Sequence, residues 1–153
     1  MGKVIIQKIT VLLLFLLFVV TVNYGQSIHV NAGIKKLLSE YETALSSKSA
    51  VKIANCFHND AMVFPQGKKT VNGRTEIMAN FKGLETIDFI EKFTIQEVIK
   101  TDEYFIVQTK NTGSWENPET SEKGTFEVKG QMILKPDKKG GLKIYRYMYN
   151  SNN

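Results

Sequence analysis

The chain has 153 residues, a length that fits one domain with a sizeable core. Its formal net charge is +5, and removal of the leader described below lowers it to +3, which is too small to indicate a nucleic-acid-binding surface. Cys56 is the sole cysteine, so an internal disulfide is excluded. Its position in the apolar stretch IANCF favours a buried side chain over a reactive thiol.

The N-terminus has the pattern of a signal peptide. Lys3 and Lys8 precede an uncharged apolar run from Ile9 to Val22. As a helix, this run would span about 21 Å, less than the roughly 30 Å hydrocarbon core of a bilayer, so cleavage is favoured over a retained anchor. We predict a signal peptide over residues 1–25 and a mature domain over residues 26–153. The mature protein is then periplasmic or secreted, without a membrane attachment.

The next part of the chain predicts three helices and one short strand. Apolar residues from Ile34 to Leu45 recur at the i, i+3, i+4, i+7 spacing of an amphipathic helix. Ser49 follows and is suited to cap a second helix, AVKIANCF. AMVF then predicts a buried strand that Pro65 ends, and RTEIMANFKGL predicts a third helix that ends near Gly83.

Beyond the third helix the hydrophobic period changes from 3.6 to 2. Four strands are predicted from this alternation: FTIQEVIK (93–100), YFIVQTK (104–110), GTFEVKGQMILK (124–135) and LKIYRYMY (142–149). Short connections between them favour antiparallel pairing. The order of elements therefore predicts an α+β fold in which about three helices cover one face of a curved antiparallel sheet of four long strands plus one short strand.

Three segments carry a resemblance to a known family. YETALSSKSAVKIANCFHNDAMVF, VNGRTEI and VKGQMILKPDKKGGLKIYRYMYNS resemble, in order and spacing, the SnoaL-like domain of unknown function 4440 branch of the nuclear transport factor 2-like superfamily. The resemblance implies a cone-shaped barrel with a pocket between helices and sheet, and dimerisation through the outer sheet face. Relatives include ketosteroid isomerase, polyketide cyclases and dehydratases, so the fold implies a pocket without specifying a reaction.

The resemblance assigns a catalytic role to one residue, and at two other positions this sequence lacks the catalytic residue that relatives have. Tyr41 matches the first-helix tyrosine that serves the isomerase as an oxyanion donor, although a tyrosine here also suits a core position. Phe64 stands where the isomerase has its general base, and a phenyl ring cannot transfer a proton. Relatives usually have Trp at the position of Leu142 and often Asp at that of Tyr147, so another candidate acid or base is missing.

Glu97 is the remaining candidate for a general base. In FTIQEVI it shares strand parity with Phe93, Ile95 and Ile99, and a carboxylate in an apolar pocket has a raised pKa. The alternative is a strand edge where the parity breaks and Glu97 meets solvent. Trp115, in the predicted loop TGSWEN, either closes the mouth of the pocket or packs at a strand end.

Other kinds of site are not indicated. The two histidines, His29 and His58, and one cysteine do not form a cluster with metal-ligand spacing, and neither a nucleophile elbow nor a phosphate-binding loop is present. Asp60, in HNDAMVF, is expected to bond to its own turn. We therefore expect no metal and no cofactor.

The functional prediction is an exported domain that binds a small, partly apolar molecule through Tyr41, Phe64, Glu97 and Trp115, without catalysis of its own. Two alternatives remain open. One is an isomerase-, cyclase- or dehydratase-like enzyme with Glu97 as base and Tyr41 as oxyanion donor. The other is a homodimeric interaction module, because the last strand carries large side chains on both faces, including an outer patch of tyrosines suited to a subunit interface.

Overall fold

The computed structural model describes residues 32–151. The predicted signal peptide and its cleavage site lie outside the described residues. The contacts divide the chain into two units, Met1–Lys35 and Lys36–Asn153. Of the first unit, the described part is the beginning of a helix at residues 32–35, and the second unit carries the sheet and the candidate site.

Three α-helices are formed where the sequence predicts them. They are α1 (32–46), α2 (Ala50–Asn55) and α3 (Gly73–Phe81), and a 3-10 helix, Lys82–Thr86, continues from α3. The cap predicted at Ser49 is confirmed, since its Oγ accepts a hydrogen bond from the backbone N–H of Lys52 at 3.4 Å. The first N–H of α2, at Ala50, donates to the Glu85 carboxylate at 3.2 Å, which ties α2 to the 3-10 helix.

The sheet has six strands in the order β2-β1-β6-β5-β4-β3. The strands are β1 (Phe57–Pro65), β2 (Val71–Asn72), β3 (Asp88–Lys100), β4 (Phe105–Glu116), β5 (Lys123–Pro136) and β6 (Leu142–Ser151). This curved, unclosed sheet confirms the α+β prediction. It differs from the predicted antiparallel sheet of four long strands plus one short strand in two ways. It has a sixth strand, β2, and it is mixed, because β1 and β6 pair in parallel while the other neighbours are antiparallel. Short connections impose antiparallel pairing on strands that follow one another, and β1 and β6 are not such a pair.

The strands shift register at three places, in β1 against β6, in β3 against β4 and in β6 against β5, and the last two shifts decide which side chains of β3 and β6 face the helices. The β3–β4 register skips Gln96, and the β5–β6 register skips Tyr145. Each extra residue reverses the alternation beyond it, because side chains in a strand change face at every residue. We call the face covered by the helices the inner face and the opposite one the outer face.

The core of the second unit lies between the helices and the inner face. Tyr41 of α1 packs against the rings of Phe57, Phe93 and Tyr147, with centroids 5.4 to 6.3 Å apart. Cys56 is buried, as predicted, and burial raises its pKa to about 11, so the thiol stays protonated at neutral pH. Among the described helices, none has the length and apolar character needed to cross a membrane.

Candidate active site

A cleft of about 310 Å³ opens between the helices and the inner face of the sheet. Tyr41 and Leu45 of α1 form one wall, and the end of α3 with the 3-10 helix forms another. The inward side chains of β3, β5 and β6 form its floor, and six aromatic rings belong to the lining: Tyr41, Phe81, Phe89, Phe126, Tyr147 and Tyr149. We call this space the inner cleft. Its volume is at the lower end of the range for small-molecule sites.

Glu91 of β3 is the one ionisable carboxyl group among the described residues that line the inner cleft. It is 8% exposed. The pKa of this carboxyl group is raised to about 7: burial is the main cause, a hydrogen bond from Asn111 opposes it, and the charge of Glu42 adds to it. Glu91 therefore exists in both protonation states near neutral pH, as a group that donates and accepts protons must.

Asn111, on the neighbouring strand β4, fixes the position of the Glu91 carboxyl group. Its Nδ2 donates to Glu91 Oε1 and to Tyr147 Oη, each at 2.9 Å, and the residue is fully buried. Glu91 Oε2 has no hydrogen-bond partner between residues 32 and 151, so one carboxyl oxygen is fixed by the amide and the other remains for a bound molecule. Asn111 Oδ1 is buried and has no partner in the same part of the chain.

Three tyrosines surround the carboxyl group. Burial raises the pKa of Tyr41, Tyr147 and Tyr149, and the negative charge of Glu91 adds to the effect at each of them, so all three hydroxyls are protonated donors at neutral pH. Tyr147 is placed by the close approach of β5. A Cβ atom at Gly130 would lie 3.2 Å from the Tyr147 ring and 2.6 Å from Thr109 Oγ1, so glycine leaves the space that the ring occupies.

The fold agrees with that of solved structures. A ketosteroid isomerase-like protein from Erwinia carotovora atroseptica has a TM-score of 0.70 at 18% identity, covering 80% of this chain and 95% of that one. ActVI-ORFA from Streptomyces coelicolor has a TM-score of 0.71 at 11% identity, covering 81% and 98%. A protein from Catenulispora acidiphila, solved in complex with S-DNPA, has a TM-score of 0.73 at 13% identity, covering 82% and 96%.

The chain has the ketosteroid isomerase-like fold. No protein-family model and no curated protein matches its sequence. At identities of 11 to 18%, the likeness to solved structures concerns the fold, and the chemistry of this chain has to be argued from its own residues.

Glu97 does not reach the inner cleft. The bulge at Gln96 reverses the alternation, so Glu97 pairs with Gln108 and is exposed on the outer face, while Val98 takes the inward position opposite Val107. The prediction that Glu97 shares the apolar register of Phe93 and Ile95 is therefore wrong, and the alternative, a break in parity that exposes Glu97 to solvent, is the one observed. An enzyme with Glu97 as base in the cleft has no structural basis.

Two further predicted cleft residues lie elsewhere, and one is in place. Phe64 pairs with Met148 on the outer face, and its neighbour Val63 points inward. Trp115 belongs to strand β4 and not to a loop, and its indole packs over Gly124 at the strand end, outside the inner cleft. Tyr41 is 1% exposed and lines the cleft, as a core tyrosine or an oxyanion donor would.

Asp60 also differs from its prediction. It lies within β1 and not in a turn, and its carboxylate contacts the His58 ring, which lowers the pKa of Asp60. Within residues 32–151, no group of three or more His, Cys, Asp or Glu side chains is arranged to hold a metal ion.

The sequence contained a partial signal for the residues that were missed. The strand predicted from Phe93 begins at Asp88, and over that longer span Glu91 alternates with Phe89, Phe93 and Ile95 on one face. Asn111 follows Val107 and Thr109 in the same way on β4. The alternation along each strand was therefore sufficient to predict that Glu91 and Asn111 point inward. It could not predict the hydrogen bond between their side chains, because that contact depends on the β3–β4 register.

Proposed function

We propose that the inner cleft binds a small, partly apolar molecule, with Glu91 as the ionisable group that contacts it. The observation that carries the proposal is a buried carboxyl group with one unpaired oxygen in a cleft lined by aromatic rings. An apolar cleft with a few convergent polar groups is the usual form of a small-molecule site. The Catenulispora acidiphila protein, which has this fold, was solved in complex with S-DNPA.

The position of Glu91 favours a second candidate, an acid–base enzyme of the isomerase or cyclase type. A carboxyl group with a pKa of about 7 is suited to abstract and return a proton at neutral pH. Tyrosine hydroxyls beside it are donors that would stabilise an oxyanion formed on a neighbouring carbonyl group. In this mechanism Glu91 takes the role that the sequence assigned to Glu97, and Tyr41 keeps its predicted role.

Binding is tested with 2-naphthalenemethanol, a neutral bicyclic probe sized to the cleft, by isothermal titration calorimetry at pH 7. Saturable binding is expected, and substitution of a lining residue, Leu45→Trp, should abolish it by filling the cleft. Absence of saturable binding by this probe and by related bicyclic molecules would refute the binding function.

Proton transfer is tested separately with 2-tetralone, a bicyclic ketone with acidic α-hydrogens, by following deuterium exchange in D₂O with NMR. If Glu91 is a general base, Glu91→Gln should lower the protein-catalysed rate by about 10²-fold or more. Glu97→Gln, the same change on the same strand but on the outer face, should leave the rate unchanged. If 2-tetralone binds but its deuterium exchange is no faster than in buffer, the ligand-binding function is supported and the acid–base enzyme is refuted.

The export and the dimer predicted from the sequence are kept as proposals. Export rests on the N-terminal signal pattern, and mass spectrometry of secreted protein that begins at Gln26 would support it. The predicted interface of tyrosines on the outer face of β6 has to be replaced by other residues. The bulge at Tyr145 turns Tyr147 and Tyr149 inward, so the outer face of β6 carries Arg146 and Met148 beside Phe64 of β1.

A further inference from the structure

The charge and shape of the inner cleft indicate which class of small molecule it selects. This step rests on the proposed binding function. Among the described residues that line the cleft, none is Lys, Arg or His, and Glu91 is the single charged group. The nearest basic side chain on β3, Lys92, is turned to solvent and pairs with Glu42 at 2.8 Å. The cleft therefore contains a negative charge without a cation of its own.

The surroundings of Glu91 offer hydrogen-bond donors but no compensating charge. Glu42 and Tyr41 face it from α1, Tyr147 and Tyr149 from β6, and Asn111 from β4. Glu42 is itself acidic, so its charge adds to the cost of ionising Glu91. A buried carboxylate without a cationic partner is costly, and a ligand that supplies the cation removes that cost.

The aromatic walls suit the same kind of ligand. The rings of Tyr41 and Tyr147 meet at 85° with centroids 6.3 Å apart, and those of Tyr147 and Tyr149 meet at 44° with centroids 5.1 Å apart. All three rings line the cleft together with Glu91. Aromatic faces attract organic cations, and box-like groups of rings recognise ammonium compounds.

We propose that the ligand of the inner cleft is an organic cation, an amine carried on a flat apolar body. Its ammonium group pairs with the free Oε2 of Glu91 beside the tyrosine rings, and its body packs against Phe81, Phe89 and Phe126. Carboxylates and phosphates are not expected to bind, because no basic side chain among residues 32–151 lines the cleft and ionised Glu91 repels them.

Three probes with the same naphthalene body separate charge from shape: 2-naphthalenemethylamine, 2-naphthalenemethanol and 2-naphthoate. Isothermal titration calorimetry at pH 8 should give the amine an affinity at least about tenfold higher than the alcohol, and no detectable binding of the carboxylate. Glu91→Gln should abolish the preference for the amine, while Glu97→Gln should retain it. Circular dichroism checks that each variant is folded.

A titration of the wild-type protein provides a second test that needs no variant. Affinity for the amine should fall by about tenfold or more between pH 8 and pH 5, because protonation of Glu91 removes its charge while the amine keeps its own. If the alcohol binds as tightly as the amine, the cation class is wrong and the binding function stands. If none of the three probes binds, both proposals are wrong. An amine preference that persists in Glu91→Gln overturns the assignment of Glu91 as its partner.

Discussion

Replacing Glu91 by Gln should stabilise the protein at alkaline pH. In the folded chain the pKa of Glu91 is about 7, against an ordinary value of 4.5, so the folded state binds the proton more tightly than the unfolded state. Stability therefore falls as the pH rises from about 4.5 to about 7 and is constant above that range. At about 1.4 kcal/mol per pH unit, the full loss amounts to about 3 kcal/mol. Glutamine occupies the same volume and its carbonyl oxygen still accepts from Asn111, but it never ionises.

The measurement is the free energy of unfolding from urea titrations at five pH values between 4 and 9, at constant ionic strength, for the wild type and Glu91→Gln. Near pH 4 the two should agree, and at pH 8 to 9 the variant should be more stable by about 3 kcal/mol, or about 10 °C in Tm. Glu97→Gln is the matched control, since Glu97 is exposed on the outer face of the same strand. A difference between wild type and Glu91→Gln that does not change with pH would refute the reasoning.

Three further outcomes are expected. Gly130→Ala should lower the unfolding free energy by about 1–3 kcal/mol, because the added Cβ overlaps buried neighbours, while Gly83→Ala, with open space at its Cβ, should be close to neutral in thermal melts. Tyr147→Phe should cost about 1–2 kcal/mol, since a buried amide loses its acceptor, and Tyr145→Phe on the outer face should cost less; urea titrations compare them. If the outer face forms the proposed dimer, Met148→Glu, at a residue 54% exposed in one chain, should convert the dimer to monomer in light scattering; wild-type protein that is monomeric at micromolar concentration would contradict the dimer.

Local patterns in the sequence predicted the type and order of most elements, but they missed strand β2 and the first residues of β1 and β3. The change of hydrophobic period from 3.6 to 2 separated helices from strands, and Ser49 marked the start of α2. These features depend on residues a few positions apart, so they can be read along the chain. The order of three helices and then long strands was enough to predict the α+β fold class.

Tertiary structure decided the candidate site. Strand parity predicted that Glu97 faces inward, but the bulge at Gln96 places it on the outer face. The bulge at Tyr145 places Tyr147 and Tyr149 on the inner face. A bulge depends on the pairing of one strand with its neighbour, and a single extra residue exchanges the two faces of everything that follows it. The sequence alone determined which residues alternate. Only the register between strands decided that the carboxyl group in the cleft is Glu91, held by Asn111 among three tyrosines.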